Sequence, residues 1–509
     1  METFKKKILI IGLDGASWSL FDNILESGYM PYLKKLKNEG AYGSILSTIP
    51  PISPAAWGTI QTGIDAINNH VYEFYCFNKA NRSLQIVNSN FLKNTIWEIL
   101  SIVGKRVGIV NVPMTYPPKK VNGYIVSGIL TPSLDSNFTY PPNLRDVILK
   151  KIPNYQLHYS EDIRYGNPHY NIKEFIRQRM KNVKDRTKIC LYLINNYKFD
   201  IFMVNFQAND ILQHVLWGYM EENNRLYCED IKLYIFKHFH TTLDLCIQTL
   251  REEFIRKSNS DLLTIILSDH GCETHTKRFF LGDWLYQQNL LKIKKNIINL
   301  YIIKKLKDLL LKITISKFQA KLMIFLKKIK NKSKGLKKFE QETTFFQNII
   351  DWENSYSFSM GISNYGLIFI LKKGEEKDKV INFLKNKLYQ IKDPEFNLNI
   401  VERVYIKEEL YNGNRPELIP DIIIKPKKGY SFTGLFQNKK NLFQKIRKKS
   451  DFAIGKHNEE GILIIHGQSV SNTKIKNAHL KDIVPTILNY FHLPIIDYLN
   501  GKILNYFKV

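Results

Sequence analysis

Five short, almost unbroken apolar runs recur along the chain, and they constrain its fold more than any other feature. The first covers residues 8–13 and ends at Asp14 and Gly15; the others cover residues 107–112, 200–206, 262–267 and 461–466. Such runs are typical of parallel strands that are buried on both faces of a sheet. Helical patterns lie between them, over residues 30–40, 142–151 and 171–196. Strands that alternate with helices predict an α/β fold, with a mainly parallel central sheet flanked by helices.

Length and charge distribution divide the chain into three parts. A chain of 509 residues is too long for one small domain, so we expect several modules or one large core with insertions. Residues 286–338 hold sixteen lysines, no arginine and one acidic residue, Asp308. Apolar residues recur there on one helical face. We therefore predict a first core part over residues 1–285, a Lys-rich helical insertion or cap over 286–345, and a second core part over 346–509.

The net charge of +27 favours polyanionic partners such as nucleic acid, an anionic membrane surface or a phosphorylated substrate. Codon bias is the alternative, because the chain is also rich in Ile and Asn. No nucleic-acid module is recognisable, and residues 286–338 lack arginine and an interleaved pattern of aromatic residues for base stacking, so no specific nucleic acid is expected. A peripheral contact of this segment with an anionic membrane is one interpretation, and solvated lysines on a cap are the other.

Cysteine usage and the N-terminus indicate a cytoplasmic protein. The chain has five cysteines and no Cys-x-x-Cys pair, which argues against a disulfide framework and for a reducing compartment. The apolar run after the basic N-terminus is too short for a signal peptide, and no stretch reaches the ~18 apolar residues of a transmembrane helix.

Candidate catalytic residues lie beside the predicted strands and helices. Asp14 follows the first strand, and the pair Asp269 and His270 follows the fourth. The remaining candidates are Ser53 in the segment Pro-Pro-Ile-Ser-Pro-Ala-Ala-Trp, Asp210 and His214 four residues apart, and His457 before the last strand. Polar residues at the carboxyl ends of parallel strands line the functional crevice of such sheets.

These residue types suit two-metal phosphoryl transfer, which needs carboxylate and imidazole ligands and a nucleophile beside the metals. Each residue alone has an ordinary interpretation. Asp14 could be a turn residue, and Ser53 a helix cap followed by Pro54. Asp210 and His214 could form a surface helix pair, and His457 could be a loop histidine. The prediction therefore depends on the whole set and its order.

That order resembles the type I phosphodiesterase/nucleotide pyrophosphatase family of the alkaline phosphatase superfamily. The resemblance extends from Gly-Leu-Asp-Gly at residues 12–15 and Ser-Pro-Ala-Ala-Trp at 53–57 to Asp210–His214 and Ser-Asp-His-Gly at 268–271. It continues through His457 and Gly-Ile-Leu-Ile at 461–464 to Asp-Ile-Val-Pro-Thr-Ile-Leu at 482–488. It implies an alkaline phosphatase-like core and a metal-dependent phosphoester hydrolase.

The resemblance also implies residue roles and cofactors. One divalent metal ion would be held by Asp210, His214 and His457. The other would be held by Asp14, Asp269 and His270, with Ser53 bridging towards the phosphorus. Ser53 would be the nucleophile of a phospho-serine intermediate that water then hydrolyses. Zinc suits the mixed His and Asp ligands, and manganese fits the same carboxylates.

The chain departs from the family pattern at one place, and other functions compete. Nucleotide pyrophosphatases carry an asparagine shortly after the nucleophile helix, whereas residues 71–75 read Val-Tyr-Glu-Phe-Tyr. The substrate class, and the choice between diesters and monoesters, therefore stay open. A sulfatase is disfavoured because the Ser-x-Pro-x-Arg spacing is absent, and no serine motif of metal-dependent phosphoglycerate mutases is found. The non-enzymatic alternative is a basic membrane-surface or polyanion-binding protein with a degenerate hydrolase core.

Overall fold

The structure is a computed structural model that describes residues 6–157, 171–258, 261–294, 348–361, 363–410, 416–446, 455–504 and 506. Its helices, in chain order, are α1 Trp18–Glu26, α2 Pro31–Glu39, α3 Ser53–Thr62, α4 Ile96–Ile102, α5 Leu144–Lys151, α6 Ile172–Asn196, α7 Ala208–Met220, α8 Glu229–Tyr234, α9 Thr241–Ser258, α10 Leu281–Gln287, α11 Gly374–Leu388, α12 Lys407–Leu410 and α13 Ile483–Tyr490. A π-helical segment, Ile235–His240, joins α8 to α9.

The strands, in the same order, are β1 Lys7–Gly12, β2 Ala41–Leu46, β3 Tyr75–Asn78, β4 Ser83–Ile86, β5 Val107–Val110, β6 Gly123–Val126, β7 Thr139–Tyr140, β8 Ile201–Asn205, β9 Leu262–Leu267, β10 Gly271–Phe280, β11 Ser357–Met360, β12 Gly366–Ile370, β13 Lys392–Asp393, β14 Leu398–Asn399, β15 Val401–Ile406, β16 Ile422–Pro426, β17 Gly429–Thr433, β18 Phe443–Lys445, β19 Gly455–Asn458, β20 Glu460–His466 and β21 Ala478–His479.

Within the described residues, nine strands form the central sheet in the order β21-β2-β20-β9-β1-β8-β5-β6-β7. The strands β9, β1, β8, β5 and β6 are mutually parallel neighbours, so the sheet is mostly parallel as predicted. β1 lies between β8 and β9, which brings the carboxyl ends of these three strands to one edge. The segments that follow them carry Asp14, Asp210 and Asp269.

One apolar run has a different direction from the one that its pattern suggested. β20 pairs antiparallel with both β2 and β9, although we expected the run over residues 461–466 to be a parallel strand. Five of its seven residues are nevertheless buried. Burial on both faces produces an unbroken apolar run whatever the strand direction, so the sequence pattern could not distinguish the two cases.

Alternate residues of β1 point into two separate apolar clusters, one on each face of the sheet. Leu9 and Ile11 belong to the cluster formed with α1, α2, α6, α7 and α9. Ile8 and Ile10 belong to the cluster formed with α3, α4 and α13. Because side chains alternate along a strand, the sheet needs helices on both faces to bury them. The central sheet is thus a rigid platform for the residues at its edge.

The central sheet and its two apolar clusters form one part of the structure, and a second apolar core lies beside this part. The antiparallel sheet β11-β12-β16-β15 packs with α11 around Leu367, Phe369 and Ile423. Strand β10 connects the two parts, because it pairs with β19 at its start and with β17 and β18 further along. Most of the predicted Lys-rich insertion, residues 295–345, lies outside the described residues, so the three-part division stays a prediction. Among the helices of the described residues, none is long and apolar enough to cross a membrane.

Candidate active site

Hydrogen bonds and close packing from several segments fix the turn that carries Asp14. Asp14 Oδ2 accepts hydrogen bonds from Asn205 Nδ2 at 2.9 Å and from Trp57 Nε1 at 3.2 Å. Gly15 has a φ of +73°, and a Cβ added there would lie 3.0 to 3.1 Å from Asp210. Only glycine adopts this left-handed conformation at little cost and also allows so close an approach. The turn therefore fixes the Asp14 carboxylate beside Asp210.

Helix α7 presents Asp210 and His214 together, because residues four apart share one helical face. Asp210 Oδ1 lies 3.3 Å from His214 Nε2 and 3.3 Å from His457 Nε2. The two Nε2 atoms are themselves 2.8 Å apart. His457 comes from β19, which pairs with β10 directly after His270. Hydrogen bonding between these two strands thus places His457 beside the other side chains of the site.

All three histidines bind a backbone carbonyl through Nδ1. His214 Nδ1 lies 2.8 Å from Gly455 O, His457 Nδ1 lies 2.9 Å from Pro51 O, and His270 Nδ1 lies 3.1 Å from Gly271 O. A carbonyl can only accept, so each Nδ1 donates and carries the proton of the neutral ring. Each Nε2 then presents a lone pair to the site. Metal-binding histidines are oriented in this way by carbonyl partners.

Ser53 opens helix α3, whose ten residues are all buried. Its Oγ lies 3.3 Å from His270 Nε2, and the residue is 5% exposed. The same nitrogen lies 3.2 Å from Asp269 Oδ2 and 3.8 Å from Asp14 Oδ1. The helix begins at Ser53 with Pro54 in its first turn, so unpaired backbone N–H groups of that turn favour negative charge beside Oγ.

Burial and crowding of like charges set the protonation of the carboxyl groups. Burial, together with the charge of Asp210, raises the pKa of Asp269 to about 8. Burial and the charges of Asp269 and Asp210 raise the pKa of Asp14 well above its usual value. Burial also acts to raise the pKa of Asp210, but the charges of His214 and His457 outweigh it and hold that pKa well below the usual range.

The histidines show the same competition. Burial lowers the pKa of His214 and holds that of His270 well below its usual value. Burial also acts to lower the pKa of His457, but the adjacent carboxylate of Asp210, 3.3 Å from Nε2, outweighs it and raises the pKa. Without a cation, this site holds three carboxyl groups that repel one another, two imidazoles that resist protonation, His214 and His270, and a third, His457, that favours it.

The donor set fits divalent metal ions. Three buried carboxylate oxygens, Asp14 Oδ1, Asp210 Oδ1 and Asp269 Oδ2, have no hydrogen-bond partner among the described residues. Two groups have ligand atoms within 4.8 Å of one another: Asp210, His270 and His457, and Asp14, Asp269 and His270. His214 Nε2 adjoins the first group at 2.8 Å from His457 Nε2. Unpaired carboxylate oxygens and imidazole lone pairs that converge in a buried site are suitable for zinc or manganese.

The structure brings all seven sequence-predicted side chains into this one site: Asp14, Ser53, Asp210, His214, Asp269, His270 and His457. Their roles as ligands and nucleophile stay predictions. Sequence reasoning missed four further residues, Trp57, Asn205, Asn209 and Gln213, which hold the segment of Asp14. Asn209 and Gln213 had one sequence signal, because they repeat the four-residue spacing of Asp210 and His214 one position earlier.

Two further polar residues, His275 and Lys277, follow the Asp269–His270 pair and lie in strand β10. His275 and Lys277 are 4% and 5% exposed in β10. Lys277 Nζ lies 2.5 Å from Asp393 Oδ2 and 2.7 Å from Glu395 Oε2, and His275 Nε2 lies 2.7 Å from Ser431 Oγ. These contacts join β10 to the second apolar core.

Comparison with known proteins identifies a matching family and a matching fold. The family model of the type I phosphodiesterases/nucleotide pyrophosphatases matches residues 8–458. Human ectonucleotide pyrophosphatase/phosphodiesterase 5 superposes with a TM-score of 0.55 at 14% identity, over 98% of this chain and 100% of the other. Phosphonoacetate hydrolase from Sinorhizobium meliloti 1021 superposes with a TM-score of 0.53 at 12% identity, over 94% of each chain. At such identities the likeness shows the fold alone. No curated protein matches the chain by sequence.

Proposed function

The chain belongs to the type I phosphodiesterase/nucleotide pyrophosphatase family, and on that premise we propose that it hydrolyses phosphoesters with divalent metal ions and Ser53 as the nucleophile. The family is one of hydrolases in the alkaline phosphatase superfamily. One observation carries the proposal: His270 Nε2 lies 3.3 Å from Ser53 Oγ and 3.2 Å from Asp269 Oδ2. A hydroxyl group is thus adjacent to both of the metal-ligand groups that share His270.

Six side chains would hold the metal ions. Asp210, His214 and His457 would bind one, and Asp14, Asp269 and His270 would bind the other. When bound, such ions supply Lewis-acid stabilisation of the charge on the attacking and leaving oxygens. The chain contributes the geometry, since the Nδ1 contacts of the histidines and the turn at Asp14 orient the ligand atoms before substrate arrives.

Ser53 would react in two steps. Attack by Oγ forms an Oγ–P bond, the bond from phosphorus to the leaving oxygen breaks, and the hydroxyl proton of Ser53 ends on the leaving group. Water then cleaves the phospho-serine, which returns the hydroxyl and releases the phosphorylated product. The first turn of α3 favours the negative charge of the transferred phosphoryl group through its free N–H groups. Burial of Ser53 limits competing water.

The substrate beyond the phosphoryl group is a separate question. A murine relative of the phosphodiesterase 5 neighbour was solved with AMP, and the phosphonoacetate hydrolase was solved with phosphonoacetate. In this chain, Glu73 lies in the segment where nucleotide pyrophosphatases are expected to carry asparagine. Its carboxylate accepts hydrogen bonds from the backbone N–H groups of Phe74 and Ser363 at 2.9 Å and 2.5 Å. We therefore propose phosphoester hydrolysis without a commitment to nucleotides.

The alternative of a polyanion-binding protein with a degenerate core is less well supported. A degenerate core is expected to lose ligands, because nothing selects for buried, mutually repelling carboxyl groups once catalysis is lost. The chain instead carries six ligand side chains and a serine beside them.

Hydrolysis of bis-p-nitrophenyl phosphate and p-nitrophenyl phosphate by the purified protein tests the proposal. The assay is run after chelation and again with added zinc or manganese, for the unaltered chain, Ser53→Ala and the control Ser101→Ala, which changes a serine on α4. Metal-dependent release that vanishes only in Ser53→Ala would support the proposal, and the ratio of the two rates would separate diesterase from monoesterase. Equal release by Ser53→Ala would contradict Ser53 as the nucleophile. Absence of bound metal in the unaltered protein would contradict metal dependence.

A further inference from the structure

Helix α7 carries a second pair of residues at the same spacing as Asp210 and His214. Asn209 Nδ2 donates to the backbone oxygen of Asp14 at 2.8 Å, and Gln213 Nε2 donates to that of Gly15 at 2.8 Å. Asn209 and Gln213 are both fully buried. Helix α7 therefore carries candidate ligands for the first metal ion. The same helix also binds, through hydrogen bonds, the turn that supplies Asp14 to the second metal ion.

The turn at Asp14 and Gly15 contacts residues of both metal groups. Gly15 packs so closely against the backbone and side chain of Asp210 that a Cβ on this glycine would lie 3.0 to 3.1 Å from them. The backbone N–H of Gly15 donates to Asp269 Oδ1 at 3.2 Å, which leaves Asp269 Oδ2 directed towards His270 Nε2 at 3.2 Å. A displacement of this turn would shift Asp14, Asp210 and Asp269 relative to one another.

We propose that Asn209 and Gln213 are positioning residues that set the spacing between the two metal groups. This inference rests on the proposed function, because it assigns the two amides to a site for divalent ions. Both amides act through the backbone oxygens of Asp14 and Gly15 rather than through a ligand side chain. Outer residues that orient metal ligands in this way typically change metal affinity by about 10–100-fold when they are replaced.

A purely stabilising role does not fit these amides well. The acceptor oxygens Asn209 Oδ1 and Gln213 Oε1 are buried and have no hydrogen-bond partner among the described residues. An unpaired buried acceptor costs stability that offsets what the donated hydrogen bond contributes. Replacement of Gln213 by methionine, which is similar in length, removes the donor and the unpaired acceptor Oε1, and leaves the backbone oxygen of Gly15 unpaired in its place, so the number of unpaired buried acceptors stays the same. We therefore expect little change in the melting temperature of the metal-free protein.

Calorimetric titration of the metal-free protein with Zn²⁺ or Mn²⁺ tests the inference in Gln213→Met and in Asn209→Ala. The matched control is Gln248→Met, the same substitution on α9, where Gln248 Nε2 contacts Glu252 at 2.9 Å. We expect both positioning variants to bind one of two ions about 10–100-fold more weakly, with the other ion less affected and the control unchanged. In the same variants, the fold decrease in kcat should exceed the fold increase in KM, because the nucleophile and the metal ions are misaligned while substrate binding is retained.

The outcomes separate the two proposals. If the unaltered protein binds two ions and both variants bind them with unaltered affinity, the positioning role is wrong and the proposed function stands. If the unaltered protein binds no ion, both proposals are wrong. Because the two variants remove different contacts to the same turn, a folding defect in one leaves the other to decide, and the melting temperature of each metal-free protein identifies such a defect.

Discussion

His214 and His457 lie 243 residues apart in the chain, yet their Nε2 atoms are 2.8 Å apart. Both rings donate Nδ1–H to backbone carbonyls, so two nitrogen lone pairs face each other and Asp210 Oδ1. That arrangement is repulsive unless a proton or a cation lies between the atoms. The close contact between these two histidines is therefore what we expect of two imidazoles that share a proton or a bound cation.

Removal of Asp210 from this group should cost metal binding and activity together. We expect Asp210→Asn to weaken the binding of one ion by more than the ~100-fold typical of residues outside the ligand set, because an amide cannot replace the charge of a carboxylate. Phosphoester hydrolysis should fall at least as much. Metal analysis after gel filtration and steady-state kinetics check this, with Asp230→Asn on α8 as the control. Retention of both ions and of activity would exclude Asp210 as a ligand.

Metal affinity should rise with pH. Burial and neighbouring charge raise the pKa of Asp269 to about 8, and the pKa of Asp14 is also raised. Below about pH 8, the metal-free folded protein therefore keeps protons that an ion must displace, and binding releases them. We expect the gain in melting temperature from added zinc to be larger at pH 8 than at pH 6. Titration in buffers of different ionisation enthalpy would count the released protons; an equal gain at both pH values would contradict this prediction.

His240 should limit stability in acid. It is fully buried among Phe21, Phe236 and Phe239, neither ring nitrogen has a hydrogen-bond partner among the described residues, and burial lowers its pKa to about 3. Below about pH 6.5 the unfolded chain binds a proton at this histidine, whereas the folded protein binds it only near pH 3. The contribution of the neutral His240 to the free energy of unfolding is therefore fully present above pH 6.5 and is lost as the pH falls towards 3.

Replacement of His240 by phenylalanine should remove this loss of stability in acid, because phenylalanine does not bind a proton. We expect His240→Phe to gain about 2 kcal/mol in the free energy of unfolding at pH 5, relative to its effect at pH 7.5. Urea unfolding at the two pH values measures it, and His238→Phe on the same helical segment is the control. A gain that is independent of pH would show that ring packing, not protonation, is responsible.

Asp421 should be a major source of stability for the second apolar core. Its side chain is fully buried, and the amino groups of Lys79, Lys377 and Lys407 lie 2.9, 3.3 and 3.4 Å from its oxygens. Asp421→Asn leaves three partly buried ammonium groups without their shared charge, and we expect a loss of about 3 kcal/mol in the free energy of unfolding. Chemical denaturation measures it. The exposed neighbour Glu408 is the control, since Glu408→Gln should cost less than about 1 kcal/mol.

The sequence predicted the central fold well, because its signals are local. The buried runs appear as β1, β5, β8, β9 and β20, and the helical patterns appear as α2, α5 and α6 with ends shifted by at most two residues. It did not predict that β20 is antiparallel, because burial on both faces gives the same composition in either direction. Nor did it place His275 and Lys277 in a buried strand, because their partners Ser431 and Asp393 are distant in the chain.

For the site, the sequence alone determined which residues could do chemistry, because Asp, His and Ser beside buried strands follow from residue type and order. Only the tertiary structure decided how they meet. The tautomers of His214 and His457 depend on carbonyls from other segments, those of Gly455 and Pro51. The roles of Asn209 and Gln213 depend on a turn that lies almost two hundred residues earlier. Such contacts join distant segments through backbone atoms, which every residue possesses, so they leave no pattern in the sequence.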